Sequence, residues 1–395
     1  MPEGGDPLVV GIVANEPSGD LLGASLAQAI RARVPNVRFV GIAGPRMLEA
    51  GCSTLFDQER LAVMGLTEVL AHLRELLAIR AALERYFLAN PPDVFIGVDA
   101  PDFNLGLERR LRDKGIRTVH FVSPTVWAWR PGRVRGIRRA VDLMLSIFPF
   151  EETFLREHGV PATYVGHPLA EAIPLEVDRL AARRALGLPE QGCLVAVLPG
   201  SRMGEVERLA EPFIETAKCC FEARPDLVFA APMVSGRLRA LFEAKLRHCA
   251  PGLPLSVVDG HSRNVLAAAD CVLTASGTAT LEALLLKRPM VVGYRVHPIS
   301  YHLVKTLGLV KVPHVAMANL LAGRELAPEL LQDRCRPELL APALLGLLDD
   351  GDRRRFIAFE YARIHRELRR NAADSAAVAV LDLIGHPASG APSPC

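Results

Sequence analysis

The feature that most constrains this chain is a run of short, apolar, β-rich segments that alternate with helical stretches almost from end to end. In the first half they fall at 8–14, 37–43, 93–99, 117–122, 143–148 and 162–165, and in the second at 194–198, 227–231, 255–258, 271–274 and 290–294. Strands that are apolar on both faces belong in parallel sheets covered by helices on each side. The intervening stretches 21–34, 103–114, 206–223 and 238–249 read as those helices. The fold class is therefore α/β, doubly wound, with right-handed crossovers. Such sheets bind ligands beyond the carboxyl ends of their strands.

The alternation stumbles once, from Gly166-His167-Pro168 to Pro174. At 395 residues, two or three domains are expected. The reading is a first domain over 1–175 and a second over 176–350, alike in plan. After Glu329 the strands stop. Residues 337–384 read as consecutive helices broken at 349–352 and 371–374, with 351–384 packing back across the domains and 385–395 as a disordered tail.

Composition then removes whole classes of function. Lys and Arg number 46 against 44 Asp and Glu, a net charge of +2, so nucleic acid is not the expected partner. No uncharged stretch reaches the roughly 18 residues of a membrane span. Met1 to Pro7 carries no basic residue ahead of its apolar run, so it is not a secretory signal. The eight cysteines are scattered without a Cys-x-x-Cys pair, and the 11 histidines lack ligand spacing. Reduced thiols, no metal and a soluble cytosolic chain are expected.

Chemistry should sit in the strand-to-helix loops. In the first, Glu16-Pro17-Ser18-Gly19-Asp20, Ser18 or Asp20 suits a helix cap, or Glu16 and Ser18 face an interdomain cleft. In Gly97-Val98-Asp99-Ala100-Pro101-Asp102, Asp102 suits the cap. Asp99, a carboxylate at the tip of a buried strand, needs a partner or a task, and is a candidate general base. In the second half, Gly200-Ser201-Arg202 offers backbone donors at a helix N-terminus and a guanidinium able to fork onto phosphate. The loop Ser276-Gly277-Thr278-Ala279-Thr280-Leu281-Glu282 repeats that logic, with Glu282 placed for ribose hydroxyls. Two such loops at corresponding strand ends point to a nucleotide-diphosphate pocket.

Other features admit two readings. Trp127 and Trp129, followed by five arginines from Arg130 to Arg139, either anchor a loop or meet a lipid headgroup or sugar phosphate. The stretch 62–83 places Leu66, Val69, Leu70, Leu73, Leu76 and Leu77 on one helix face, beside apolar Val63 and Met64. That face is either a core stripe or an exposed membrane-seeking patch. Asp350-Gly351-Asp352 reads as a helix stop and cap, not a metal site.

The loops just described, with Val63-Met64-Gly65, Val126-Trp127-Ala128-Trp129, Gly166-His167-Pro168, Asn319 to Glu325 and Glu329 to Gln332, closely resemble one family, the bacterial lipid-A-disaccharide synthases. The likeness covers nearly the whole chain, with Asn15 where that family usually has Gly and Thr125 where Ser is usual. It implies a GT-B fold, two Rossmann-like domains with a cleft between them. It implies transfer of 2,3-diacylglucosamine from UDP to 2,3-diacylglucosamine 1-phosphate (lipid X), giving the β-1,6-linked disaccharide 1-phosphate and UDP with inversion. In that scheme Asp99 is the base, and Glu16 and Ser18 line the acceptor side. Arg202 and the helix ends at Gly200 and Gly277 stabilise departing UDP without metal or cofactor. Asn319 and Gln332 make polar contacts near the nucleotide. Acyl chains shelter along 61–83, with Trp127, Trp129 and Arg130 toward the cytoplasmic face of the inner membrane, where the protein is peripheral. The C-terminal helices are candidates for a homodimer contact. A UDP-N-acetylglucosamine 2-epimerase of the same plan, a non-catalytic UDP-sugar-lipid binder and a transferase for a water-soluble acceptor are the alternatives.

Overall fold

The computed structural model describes residues 6–61, 66–129, 131–296 and 314–386. Contacts divide the chain into two units. One runs to Glu171 and resumes at Leu368; the other is Ala172–Glu367.

In the first unit, β1 (Leu8–Ala14), β2 (Val37–Ile42), β3 (Cys52–Thr54), β4 (Val94–Val98), β5 (Thr118–Phe121), β6 (Leu143–Ser146) and β7 (Ala162–Tyr164) form one sheet. Its order is β3-β2-β1-β4-β5-β6-β7, and neighbouring strands run parallel. Side chains alternate across it, as a pleated strand requires. Ile12 and Ile96 pack into one core cluster, while Val13 and Phe95 pack into the cluster on the opposite face. Each such fully buried side chain contributes about 1.5–3 kcal/mol. The helices of this unit include α1 (Pro17–Arg33), α2 (Pro45–Glu49), α3 (Leu66–Ala89) and α4 (Pro101–Arg112).

The second unit holds β8 (Cys193–Leu198), β9 (Leu227–Met233), β10 (Leu255–Asp259), β11 (Cys271–Thr274), β12 (Met290–Tyr294) and β13 (Glu329–Leu331). They pair in parallel in the order β10-β9-β8-β11-β12-β13. The strands β3 and β13 escape the sequence pattern because neither is an apolar run: β3 is Cys52-Ser53-Thr54, and β13 opens on Glu329. Glu329, where the strands were expected to have stopped, opens β13.

The C-terminal helices do not act as one block. The helix Gly351–Leu368 is held to the second unit by Arg324–Glu360 at 2.9 Å and by Lys287 Nζ to His365 Nδ1 at 2.7 Å. The helix Ala372–Leu383 instead buries Ala376, Ala377, Val380 and Leu381 in the first core with Ala24, Ala27 and Ile30 of α1. Arg33 and Asp374 pair across that contact. Asp350 accepts from Arg353 N at 2.8 Å, so Asp350-Gly351-Asp352 is a helix cap as expected.

Among the described residues no helix is long and apolar enough to cross a membrane. The helix α3 turns Ile79, Leu83 and Phe87 into the core, spaced four apart. Leu73 and Leu77 remain 42% and 44% exposed, so the core account of the leucine stripe fails at those two positions. Val63 and Met64 lie outside the described residues, as do the side chains of Leu66, Val69 and Leu70.

Candidate active site

Strand order reverses between β1 and β4 in the first sheet and between β8 and β11 in the second. A crevice opens beyond the carboxyl ends at such a switch point. In the first unit Ala14 is in register with Val98, so Glu16 and Asp99 leave adjacent strand ends. In the second, Leu198 is in register with Thr274, which brings Gly200–Arg202 beside Ser276–Thr278.

Beyond β1, Glu16 and Ser18 are exposed while Asn15 is 4% exposed. Neither Ser18 nor Asp20 caps α1, contrary to expectation: its N-cap is Glu16 without a side-chain hydrogen bond, followed by Pro17. Asp20 reaches across to accept from Arg46 N at 2.9 Å and Met47 N at 3.0 Å, closing the N-terminus of α2. The Ser18 hydroxyl makes no hydrogen bond among the described residues.

Beyond β4 the backbone is strained. Asp99 has φ 53° and the next residue, Ala100, φ 44°, two successive non-glycine residues in the left-handed region. Such conformations cost of order 1–3 kcal/mol each and persist only where surroundings impose them. Asp99 Oδ1 accepts from Ala100 N at 2.8 Å, and Asn104 Nδ2 donates to Asp99 O at 2.8 Å. The other carboxylate oxygen makes no hydrogen bond among the described residues. Asp102 is not the cap; that position belongs to Ala100, and Asp102 is exposed and paired with Arg133.

Trp127 is half-buried, and its Nε1 donates to Glu151 Oε1 at 3.2 Å while its ring meets Phe150 edge-on at 4.8 Å. For this tryptophan the anchoring account holds. Glu151 is 1% exposed, and burial pushes its carboxyl up to about 8. Nearby, Arg135, Arg138 and His158 line a cavity of about 400 Å³ with Gly132 and Val134. Arg130 and the Trp129 side chain lie outside the described residues.

The two loops of the second unit differ. At β8, Gly200 has φ 128°, yet the donors behind it are taken: Glu205 Oε2 accepts from Ser201 N at 3.0 Å and Arg202 N at 3.3 Å. This is the carboxylate half of a capping box, and the chain's own carboxylate sits where an anion was expected. Arg202 remains open, its side chain 85% exposed and 3.8 Å from Glu205. At β11, Gly277 has φ 135°, Thr278 is exposed, and among the described residues no atom beyond the two chain neighbours lies within 4 Å of a Cβ built on Gly277. The open helix N-terminus is this second one. Ser276 is half-buried and donates to Val315 O at 2.9 Å; Glu282 holds Arg263 at 2.8 Å.

Two expected nucleotide contacts are occupied elsewhere. Asn319 is fully buried, donating to Ala327 O and Glu329 and accepting from Leu326 N and Ala327 N, which uses its whole hydrogen-bonding capacity. Thr280, equally buried, donates to Gly277 O at 2.8 Å and accepts from Met317 N at 3.1 Å. Thr280 braces the turn at Gly277, and Asn319 braces the segment from Leu326 to Glu329 that leads into β13. Gln332, at φ 53° just after β13, has a side chain without hydrogen bonds among the described residues.

Sequence reasoning passed over Glu205, Glu329 and the buried group Asn104, Glu108 and His120. Glu205 gave no capping signal, because the residue three before it is Arg202 and not a Ser or Thr. Asn104 and Glu108 share a helix face at i, i+4, but nothing local says that the face is buried.

Comparison with known proteins agrees. A family model described as lipid-A-disaccharide synthetase matches residues 10–382. A lipid-A-disaccharide synthase of Pseudomonas paraeruginosa is 55% identical over 377 residues, 95% of this chain and 98% of that one. Among solved structures, the glycotransferase of kitacinnamycin superposes with a TM-score of 0.58 at 18% identity, covering 95% of this chain and 99% of that one. The UDP-GlcNAc 2-epimerase of Neisseria meningitidis does so with a TM-score of 0.56 at 9% identity, covering 95% and 98%. At those identities the structures speak to the fold alone, which is GT-B. The sequence match over nearly the whole chain decides between transferase and epimerase, and by it the chain belongs to the lipid-A-disaccharide synthetase family.

Proposed function

We propose that this chain forms the lipid A disaccharide by a single displacement in which Asp99 is the general base. The 6-hydroxyl of 2,3-diacylglucosamine 1-phosphate attacks C1 of UDP-2,3-diacylglucosamine. As the new C1–O bond forms, Asp99 takes the hydroxyl proton. The bond from C1 to the diphosphate oxygen breaks, and its electron pair leaves with UDP. Attack opposite the α-linked leaving group gives the β-linked, inverted product.

The observation that carries the reading is the Asp99 turn, a carboxylate kept on a strained left-handed backbone at the switch point of its sheet. Glu16 and Ser18 stand beside it for the acceptor. Charge gathering on UDP is met by the open N-terminus at Gly277 and Thr278 and by Arg202, which is free to swing onto a phosphate. Glu282 serves the ribose and Gln332 the nucleotide's polar edge.

The lipid substrates place the protein at the cytoplasmic face of the inner membrane, held peripherally by the exposed leucines of α3. Phe356 and Phe359, 46% and 63% exposed on the helix Gly351–Leu368, give the C-terminal helices an apolar face for a homodimer contact. The test is a purified-protein assay with both diacylated substrates in detergent micelles. Disaccharide and UDP should appear in equal amounts and survive chelation by EDTA. UDP binding without disaccharide would leave a lipid-binding protein, and activity lost to EDTA and restored by Mg²⁺ would put a cation at the diphosphate.

A further inference from the structure

Behind the Asp99 turn lies a polar group that the mechanism does not use. Asn104, on α4, is fully buried, and its Nδ2 spans two carbonyls, Val98 O at 3.3 Å and Asp99 O at 2.8 Å. Those carbonyls belong to the peptide planes on either side of the Asp99 Cα. Fixing both planes fixes φ and ψ of Asp99 and so its Cα–Cβ direction, and the bond from Ala100 N to Oδ1 then holds the carboxylate.

One helical turn further, Glu108 is also fully buried and pairs with His120 Nδ1 at 2.7 Å. Gly97 makes room for this arrangement: a Cβ there would overlap Glu108 Oε1 and stand 2.8 Å from Asn104 Cβ. Asn104 Oδ1, Glu108 Oε2 and His120 Nε2 are three of seven buried side-chain polar atoms without a partner among the described residues. A cluster selected for stability alone would be apolar or fully satisfied. Nor does the turn need this clamp merely to reverse the chain, since glycine would take the left-handed conformation unaided. Asp99 and Ala100 are not glycine, so something else must hold them.

We propose that Asn104 is a positioning residue for the transfer reaction, locking the turn that aims Asp99, with the buried Glu108–His120 pair as the seat that keeps Asn104 in place. The proposal rests on Asp99 being the base.

The test is a double-mutant cycle on the full-length enzyme, reading kcat, both KM values, UDP affinity and the unfolding midpoint. Asn104→Ala should lower kcat about 10- to 100-fold, the scale of a misplaced reacting group, with KM and UDP affinity within about twofold. Added to Asp99→Asn it should cause no further loss, because there is no longer a base to aim. Should Asn104→Ala fail to fold, Asn104→Ser takes its place; its hydroxyl cannot span both carbonyls, and the same pattern is expected. Wild-type turnover in the Asn104 variant, or a loss that multiplies with that of Asp99→Asn, overturns the proposal. If Asp99→Asn alone turns over like wild type, the reading of the base fails at the first corner of the cycle, and the positioning role falls with it.

Discussion

The two switch points use the backbone in opposite ways. In the first unit the left-handed positions beyond β4 are Asp99 and Ala100, residues that resist that conformation. In the second unit the equivalent turns carry Gly200 and Gly277, at φ 128° and 135°. A site that works through a side chain has to keep the side chain and tolerate the strain. A site that works through N–H groups discards the side chain and lets the ligand approach. The carboxylates follow the same division. Glu108 and Glu151 in the first unit are raised by burial, whereas Glu205 in the second lies on backbone amides and Glu282 on Arg263. The comparison fits the proposed division, with proton transfer in the first unit and anion binding in the second.

The largest effect expected is on the first side of that comparison. Asp99→Asn keeps the shape of the turn and removes the proton acceptor, so kcat should fall about 100-fold or more in the disaccharide assay. Next is the second side. Gly277→Ala has open space for its methyl group but forces a Cβ onto a backbone conformation almost exclusive to glycine. UDP should bind about tenfold more weakly by calorimetry, while the proton-transfer apparatus stays intact. Equal UDP affinity would show that the helix end at Gly277 is not the anion site.

The smallest effect concerns a buried carboxylate of the first unit. Burial lifts Glu151 from 4.5 to about 8, so the folded state keeps a proton that the unfolded chain gives up. Its share of stability is therefore full below pH 4.5 and is lost as the pH climbs toward 8. His167, lowered from 6.5 to about 4 by burial against Phe148, makes stability rise with pH up to about 6.5 in wild type and variant alike, so it cancels in their difference. Glu151→Gln should melt progressively above wild type between pH 5 and 8, by several degrees at the upper end, at about 2–4 °C for each kcal/mol. A constant offset across that range would mean that Glu151 does not titrate on folding.

Much of this architecture was legible because parallel strands buried on both faces must be apolar, and the order of strands and helices then locates the loops that matter. Asp99 stood out because five apolar residues end in a carboxylate. What stayed hidden is set by tertiary partners. Ser276, Thr280 and Asn319 are all residue types that bind nucleotides, yet Thr280 spends its hydrogen bonds on Gly277 and Met317, and Asn319 on Leu326, Ala327 and Glu329. Glu205 looked like a helix residue until its carboxylate was found on the Ser201 and Arg202 amides. Asp20 and Asp102 each carry a capping residue's chemistry, but one caps a different helix and the other pairs with Arg133.

The division of labour between the units is tested most directly by titrating UDP into the same Asp99→Asn preparation whose turnover has been lost. Dissociation constants within about twofold of wild type, beside a kcat reduced about 100-fold, are what the account predicts. A tenfold loss of UDP affinity in that variant would contradict it, because Asp99 would then serve the nucleotide and not the acceptor's proton.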